Sequence, residues 1–345
     1  MIKLFNFIKI IFINISVFLV LLIFLDLIFG SWFKNNFNLR LSSERNIYRV
    51  YKFDFKNNKG DSLYIRNDYG FRVKNLENFS LKKIDVVFAG GSTTNQKFVD
   101  YDNSIVGILQ NKLGKINFVN AGVDGMSIVG HINSFKYWFN KIDKLNPKYY
   151  IFYIGINDQH LSKTKNQNSV DFLIESSTEG KIREYMEANS FFYKKFRKLK
   201  TSLYLNHGFL KGANQVNKKT KVYGERPDTK FIQYNDYQKN PNIDKDFQEL
   251  YENYLNQLTK LVLNSGSKII YIPQLSGNGI NNKLFNINET IVKHCLDFKL
   301  ICFNLPKEVD LNYNDFYDWA HLNVQGSTKV AGYIYKKLLD IDLKK

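Results

Sequence analysis

Four short groups of small and polar residues stand out in this chain: Gly90-Gly91-Ser92-Thr93-Thr94, Asn120-Ala121-Gly122-Val123-Asp124-Gly125, Gly155-Ile156-Asn157-Asp158 and Asp318-Trp319-Ala320-His321-Leu322. Acyl transfer needs a hydroxyl made nucleophilic by a base, a carboxylate that fixes the base, and donors for the oxyanion that develops. These groups hold all of those parts. Ser92 follows a glycine pair that permits a tight turn and would expose its oxygen at the start of a helix. His321 can take the Ser92 proton, and Asp318, three residues earlier, can hold the imidazole in the right tautomer. The backbone N–H groups of Ser92 and Gly125 and the side-chain amide of Asn157 are the candidate oxyanion donors, Asn157 being a neutral donor that forms no salt bridge with the charge it binds. Gly122 takes the place of Gly125 if the loop register differs. Asp158 is expected to be structural, bonding loop amides.

Taken singly, Gly-Gly-Ser is ordinary turn sequence and a lone Asn-Asp is more often a capped turn. The signal lies in where the groups fall. Three of them directly follow runs that read as strands, 85–89, 117–120 and 149–154, and the fourth lies between the last such run and the final helix. Further strands are expected at 268–272 and 300–303, with helices near 103–114, 128–145, 245–264, 284–298 and 324–339. Strands alternating with helices predict an α/β fold, a three-layer α/β/α sandwich around a five-stranded parallel sheet. Right-handed crossovers bring the strand C-terminal ends to one edge, so the four groups converge there.

In this order and position the groups resemble the four blocks of the SGNH, or GDSL-type, hydrolases. The resemblance covers about residues 84–325 and implies a flavodoxin-like sheet, with Ser92 as nucleophile, Gly125 and Asn157 in the oxyanion hole, and Asp318 with His321 as the Asp-x-x-His pair. The first block departs from Gly-Asp-Ser-Leu, reading Gly91-Ser92-Thr93, and the replaced acid is not a triad member. Upstream, Asn67-Asp68-Tyr69-Gly70-Phe71-Arg72 looks like a membrane-anchored bacterial branch associated with cell-surface polysaccharides, which is analogy at the level of fold.

Other chemistries find less support. His131, His160, His207 and His294 show no ligand spacing, so no metal is expected. There is no Gly-x-Ser-x-Gly elbow and neither nucleotide-binding glycine pattern, so no cofactor is expected either. Lys and Arg number 49 against 32 Asp and Glu, a net charge of +17. The excess is spread along the chain without a basic stripe or nucleic-acid motif, so no nucleic-acid partner is expected. The two cysteines, Cys295 and Cys302, exclude a disulfide-built scaffold. They flank a helix end and a strand start, where a bridge is sterically feasible, and two buried free thiols are the expected state.

Residues 8–29, IKIIFINISVFLVLLIFLDLIF, are long and apolar enough to cross a bilayer as a helix, interrupted by Lys9, Asn14, Ser16 and Asp26. The apolar core is too long, and the residues after it too large, for a cleaved signal peptide. An uncleaved, single-pass signal anchor over residues 1–30 is expected, with Lys3 and Lys9 on the cytoplasmic side and the rest of the chain extracytoplasmic, on the periplasmic side. Residues 31–80 read as a connector packed on the domain. Residues 81–345 form the domain itself, with a basic, aromatic-rich insertion at about 160–243 that serves as a lid or cap.

The expected activity is hydrolysis or transfer of an O-acyl group on a glycan or lipid, by a membrane-anchored serine esterase. The rival is a catalytically inactive glycan-binding or assembly component, motivated by the altered first block and the aromatic insertion. A third expectation is that basic residues bind anionic lipid beside the anchor.

Overall fold

The computed structural model describes residues 2–33, 45, 47–55, 58–76, 79–81, 84–161, 171, 178–206, 221–222, 231–237 and 245–341. In chain order the longer elements are α1 (Ile2–Phe29), the strands β1 (Ile47–Phe55), β2 (Asn58–Arg66), β3 (Arg72–Val73) and β4 (Val86–Gly90), and the short helix α2 (Ser92–Asn95). Then come α3 (Ile105–Leu113), β5 (Phe118–Gly122), α4 (Ile128–Tyr137), β6 (Tyr149–Ile154), α5 (Thr178–Asn189), α6 (Phe191–Asn206) and β7 (Lys221–Val222). The chain closes with α7 (Lys245–Asn264), β8 (Lys268–Pro273), α8 (Asn282–Asp297), β9 (Ile301–Cys302), α9 (Leu305–Glu308) and α10 (Val324–Asp340).

All five expected strands are present and parallel, in the order β5-β4-β6-β8-β9. Numbered among themselves, that is the 2-1-3-4-5 order of flavodoxin-like sheets. The composition of β4 shows why three layers form. Val87 and Ala89 face one core with Phe135 and Ile132 of α4 and Leu255 and Leu258 of α7. Val86 and Phe88 face the other, with Ile105 and Leu109 of α3 and Val330 and Ile334 of α10. A strand buried on both faces needs apolar residues at every position, and β4 and β6 are buried throughout.

The expected count of five strands falls short. Among the described residues the sheet has nine, because β3 pairs antiparallel with β5 and carries β2, β1 and β7 outward from that edge. These extra strands come from stretches read as connector and insertion. In β1 the residues Tyr51, Phe53 and Phe55 alternate with Lys52 and Asp54, the period-two pattern of a half-buried strand. Helix α4 ends at Tyr137 instead of near 145. Trp138 leaves helical dihedrals, is fully buried, and donates its indole N–H to the Tyr69 carbonyl at 2.7 Å.

Cys295 and Cys302 are joined in a disulfide, contrary to the expected free thiols. The turn between α8 and β9 brings their Cα atoms to 6.0 Å, within the span a bridge requires. Within the stretch 160–243, α5, α6 and β7 lie in the described part, whereas 162–170, 172–177, 207–220, with His207, 223–230 and 238–244 lie outside it.

Candidate active site

The turn that carries Ser92 depends on its two glycines. A β-carbon on Gly90 would lie 2.1 Å from Thr94 Oγ1 and 2.7 Å from the Tyr153 carbonyl oxygen, and one on Gly91 would lie 2.1 Å from Asn157 Nδ2. Only glycine lets β4 turn this closely under α2 and past the β6 loop. Ser92 is then the first residue of α2, and its N–H has no partner among the described residues.

From the far end of the chain, the loop before α10 delivers His321. Its Nε2 lies 2.7 Å from Ser92 Oγ, and its Nδ1 lies 2.7 and 2.9 Å from the two carboxylate oxygens of Asp318. Asp318 Oδ1 also accepts the backbone N–H groups of Ala320 and His321, each at 2.8 Å, which folds the loop around the carboxylate. Burial alone would raise the Asp318 pKa. The hydrogen bond and charge of His321 and the two backbone donors outweigh it, and the carboxyl is held below its ordinary value. With an ionised carboxylate on Nδ1, the proton of a neutral imidazole resides there and Nε2 faces the serine as acceptor.

Asn157 follows β6 and donates from Nδ2 to the Met126 carbonyl at 2.9 Å. An amide carries two N–H bonds, so one remains for a ligand. The same Met126 oxygen would be 3.5 Å from a β-carbon on Gly91, so the loop holding Gly125 lies against the nucleophile turn. Gly125 has φ +79, a conformation that glycine adopts without penalty. Gly122 is not an oxyanion donor, since its N–H is taken by Asn120 Oδ1 at 2.9 Å and its carbonyl accepts from Arg66 at 2.7 Å.

Asp158 is buried and accepts from the Ile128 N–H at 2.7 Å and the Tyr251 hydroxyl at 2.8 Å. It therefore fixes the start of α4, the structural duty expected of it. Asp171, buried in the insertion, does the same by binding the Ser127 N–H and hydroxyl, each at 2.8 Å.

Several supporting residues escape the sequence reading. Gln274, one residue past β8, accepts from the Ile156 N–H at 2.8 Å and donates to Thr93 Oγ1 at 2.7 Å, tying the Asn157 loop to the Ser92 turn. It stands at a strand C-terminal end like three of the four groups, and that position was the available signal. Arg66 and Arg72, both fully buried, come from β2 and β3. Arg72 donates to the carbonyls of Asn95, Gln96 and Val99 at 2.6–2.7 Å and holds the exit of α2. Tyr317 stacks nearly parallel on the His321 ring, 5.5 Å between centroids, and on Phe55 of β1 at 4.5 Å. Among the described residues no group of three or more His, Cys, Asp or Glu is arranged to hold a metal.

No family model and no curated protein matches this chain. Solved structures do. A GDSL-like lipase from Bacteroides thetaiotaomicron is 11% identical over 77% of this chain and 93% of its own, with a TM-score of 0.41. A member of the lipolytic protein G-D-S-L family from Veillonella parvula is 13% identical over 76% and 100%, with a TM-score of 0.41. A carbohydrate acetylesterase from Sinorhizobium meliloti is 10% identical over 75% and 100%, also with a TM-score of 0.41. The chain is similar to GDSL-type hydrolases.

Proposed function

We propose that this chain is a membrane-anchored serine esterase that hydrolyses or transfers an O-acyl group. The observation that carries this reading is the unbroken relay from Ser92 Oγ to His321 Nε2 at 2.7 Å and from His321 Nδ1 to Asp318 at 2.7 Å. Ser92 Oγ attacks the ester carbonyl carbon as its proton passes to Nε2, giving a tetrahedral oxyanion and an imidazolium stabilised by Asp318. Asn157 Nδ2 and the N–H groups of Ser92 and Gly125 receive the oxyanion. Collapse expels the alkoxide, which takes the proton from Nε2 and leaves an acyl-serine. Water then repeats the cycle to release the acid; a sugar hydroxyl in its place gives acyl transfer.

An acylated glycan is the substrate class best supported on this chain. Trp319, between Asp318 and His321 in the sequence, is half exposed, and an exposed indole suits a sugar ring. A lipid ester is the alternative substrate class. In this reading residues 1–30 are the anchor, 31–80 the connector and 81–345 the domain, the last two extracytoplasmic, and α1 supports the anchor. Its stretch Phe7–Phe29 spans 23 residues with none of its apolar window buried, and about 35 Å of helix suffices for a bilayer core.

The full chain in detergent is expected to hydrolyse a short-chain aryl ester and to be labelled by a fluorophosphonate on Ser92, with both lost in Ser92→Ala. Equal rates in the two proteins would overturn the assignment. Absence of labelling together with measurable glycan binding would select the inactive glycan-binding component instead.

A further inference from the structure

The α5–α6 pair has no part in the chemistry above, yet it is attached to the helix that reads as the anchor. Asp26, the one acidic residue of α1, accepts from the Ser190 hydroxyl at 3.0 Å and from the Phe192 N–H at 2.9 Å with one carboxylate oxygen. With the other it accepts from the Trp32 indole at 3.1 Å. Ser190 in turn caps α6 by accepting from the Tyr193 N–H at 3.0 Å. The Ser31 N–H donates to the Asn189 carbonyl at 2.8 Å, and the Trp32 and Tyr185 rings meet at 5.6 Å. A carboxylate inside an apolar run is costly unless it is bonded, and here its acceptors are filled by the α5–α6 junction.

Below that junction, α1 and α6 leave between them a cavity of about 920 Å³, lined by Leu22, Leu27, Phe192, Lys195, Phe196 and Leu199 among others. Its apolar walls continue onto an exposed face: Phe196 is 64% exposed, Leu199 57% and, on α5, Ile182 61%. A patch of this kind is unfavourable in water, in proportion to the apolar area left uncovered. Lys194, Lys195 and Lys200 are exposed on the same helix. Depth agrees as well. Leu22 precedes Phe29 by two helical turns, about 10 Å, which is the depth to which interfacial helices sink their apolar faces.

We infer that the α5–α6 hairpin lies in the bilayer interface beside α1, with phospholipid acyl chains filling the α1–α6 groove and the α6 lysines level with the headgroup phosphates. The occupant is bilayer lipid because the groove is continuous with a membrane-crossing helix, ends in an aromatic pair suited to the headgroup level, and bears cations where anionic headgroups lie. The hairpin then fixes the catalytic body against the membrane at two points. This inference rests on the reading of α1 as a membrane helix.

The test uses the full chain in phosphatidylcholine–phosphatidylglycerol nanodiscs, with a fluorophore on a single introduced thiol. The chain's own two cysteines are bridged. Phe196→Cys reports on the groove, Ile15→Cys on α1, and Lys260→Cys, exposed on α7, on the water side. Nitroxide on lipid acyl chains is expected to quench the labels at Phe196→Cys and Ile15→Cys alike. Aqueous iodide is expected to quench Phe196→Cys at least about threefold less than Lys260→Cys. Leu199→Cys serves as a second reporter should the first perturb α6. If Ile15→Cys is quenched by lipid while Phe196→Cys and Leu199→Cys behave as Lys260→Cys, the hairpin inference fails and the anchor stands. If Ile15→Cys itself escapes lipid quenching, the anchor reading fails first. Shielding of Phe196→Cys from iodide without lipid quenching would mean that protein covers the face, which also overturns the inference.

Discussion

The α-carbon of Gly91 and the side-chain amide of Asn157 are packed so closely that a β-carbon on the glycine would lie 2.1 Å from Nδ2. The nucleophile turn and the oxyanion amide are therefore set by one contact. Asn157→Ala is expected to lower kcat by about 100- to 1,000-fold with little change in KM, since the lost donor acts on charge present only in the transition state. Gly91→Ala is expected to approach the same loss by displacing the amide. In the Asn157→Ala background the added methyl has nothing to displace, so Gly91→Ala should cost at most about a tenth of its single-mutant effect. Steady-state kinetics on the four proteins of this cycle check the coupling, and additive losses would separate the two residues.

Asp318 is held by both ring and backbone. Asp318→Asn keeps an oxygen for the Ala320 and His321 N–H groups but offers an amide to His321 Nδ1, which favours the tautomer with the proton on Nε2. That tautomer cannot accept from Ser92. A loss of about 10³- to 10⁴-fold in kcat is expected, with thermal unfolding nearly unchanged. Ring-nitrogen NMR of His321 should show the proton moved from Nδ1 to Nε2 in the variant.

How much of this was legible in the sequence depends on whether the cause was local. Strand runs such as Tyr149–Ile154 and the residues behind them are local, and they gave the parallel sheet and the Ser92, Asn157, Asp318 and His321 positions. The antiparallel extension was not legible in the same way. The alternation in β1 is visible, but its placement depends on β3 pairing with β5 through Arg72 and Asn120, a partnership that no spacing announces. Gln274, Arg66 and Arg72 were missed because a polar residue between apolar runs reads as surface until its partners are known. The cysteine pair failed for a related reason: seven residues of separation leave the Cα distance open until α8 and β9 set it at 6.0 Å.

Arg72 places the weight of the extension on the active turn. Its guanidinium, fully buried, satisfies three carbonyls at the exit of α2 and lies 5.3 Å from the Tyr64 ring. Arg72→Met is expected to destabilise the fold by about 3–5 kcal/mol, since several buried acceptors lose their donors together. Arg72→Lys should recover less than half of that, because one ammonium cannot match the planar fork. Urea unfolding of the full chain in detergent, followed by tryptophan fluorescence, measures both. A variant that unfolds like the parent would show that the turn does not depend on the Arg72 guanidinium.

Asp158 carries a pH signature opposite to that of Asp318. Burial is the largest influence on it and raises its pKa from 3.8 to about 6, partly offset by the Ile128 N–H and the Tyr251 hydroxyl. Its folded value thus exceeds its unfolded one, so between about pH 4 and 6 the folded state binds more protons than the unfolded state. This group's contribution to stability is therefore greatest at the acid end of that window and falls as pH rises through it, by roughly 1–3 kcal/mol. Asp158→Asn removes the titration while retaining an acceptor for Ile128 and a donor for the Tyr251 oxygen. Urea midpoints of parent and variant, measured from pH 4 to pH 7, are expected to diverge with rising pH, the variant becoming relatively more stable above pH 6. A constant difference across that range would mean that Asp158 keeps one protonation state throughout and that burial does not raise its pKa into this window.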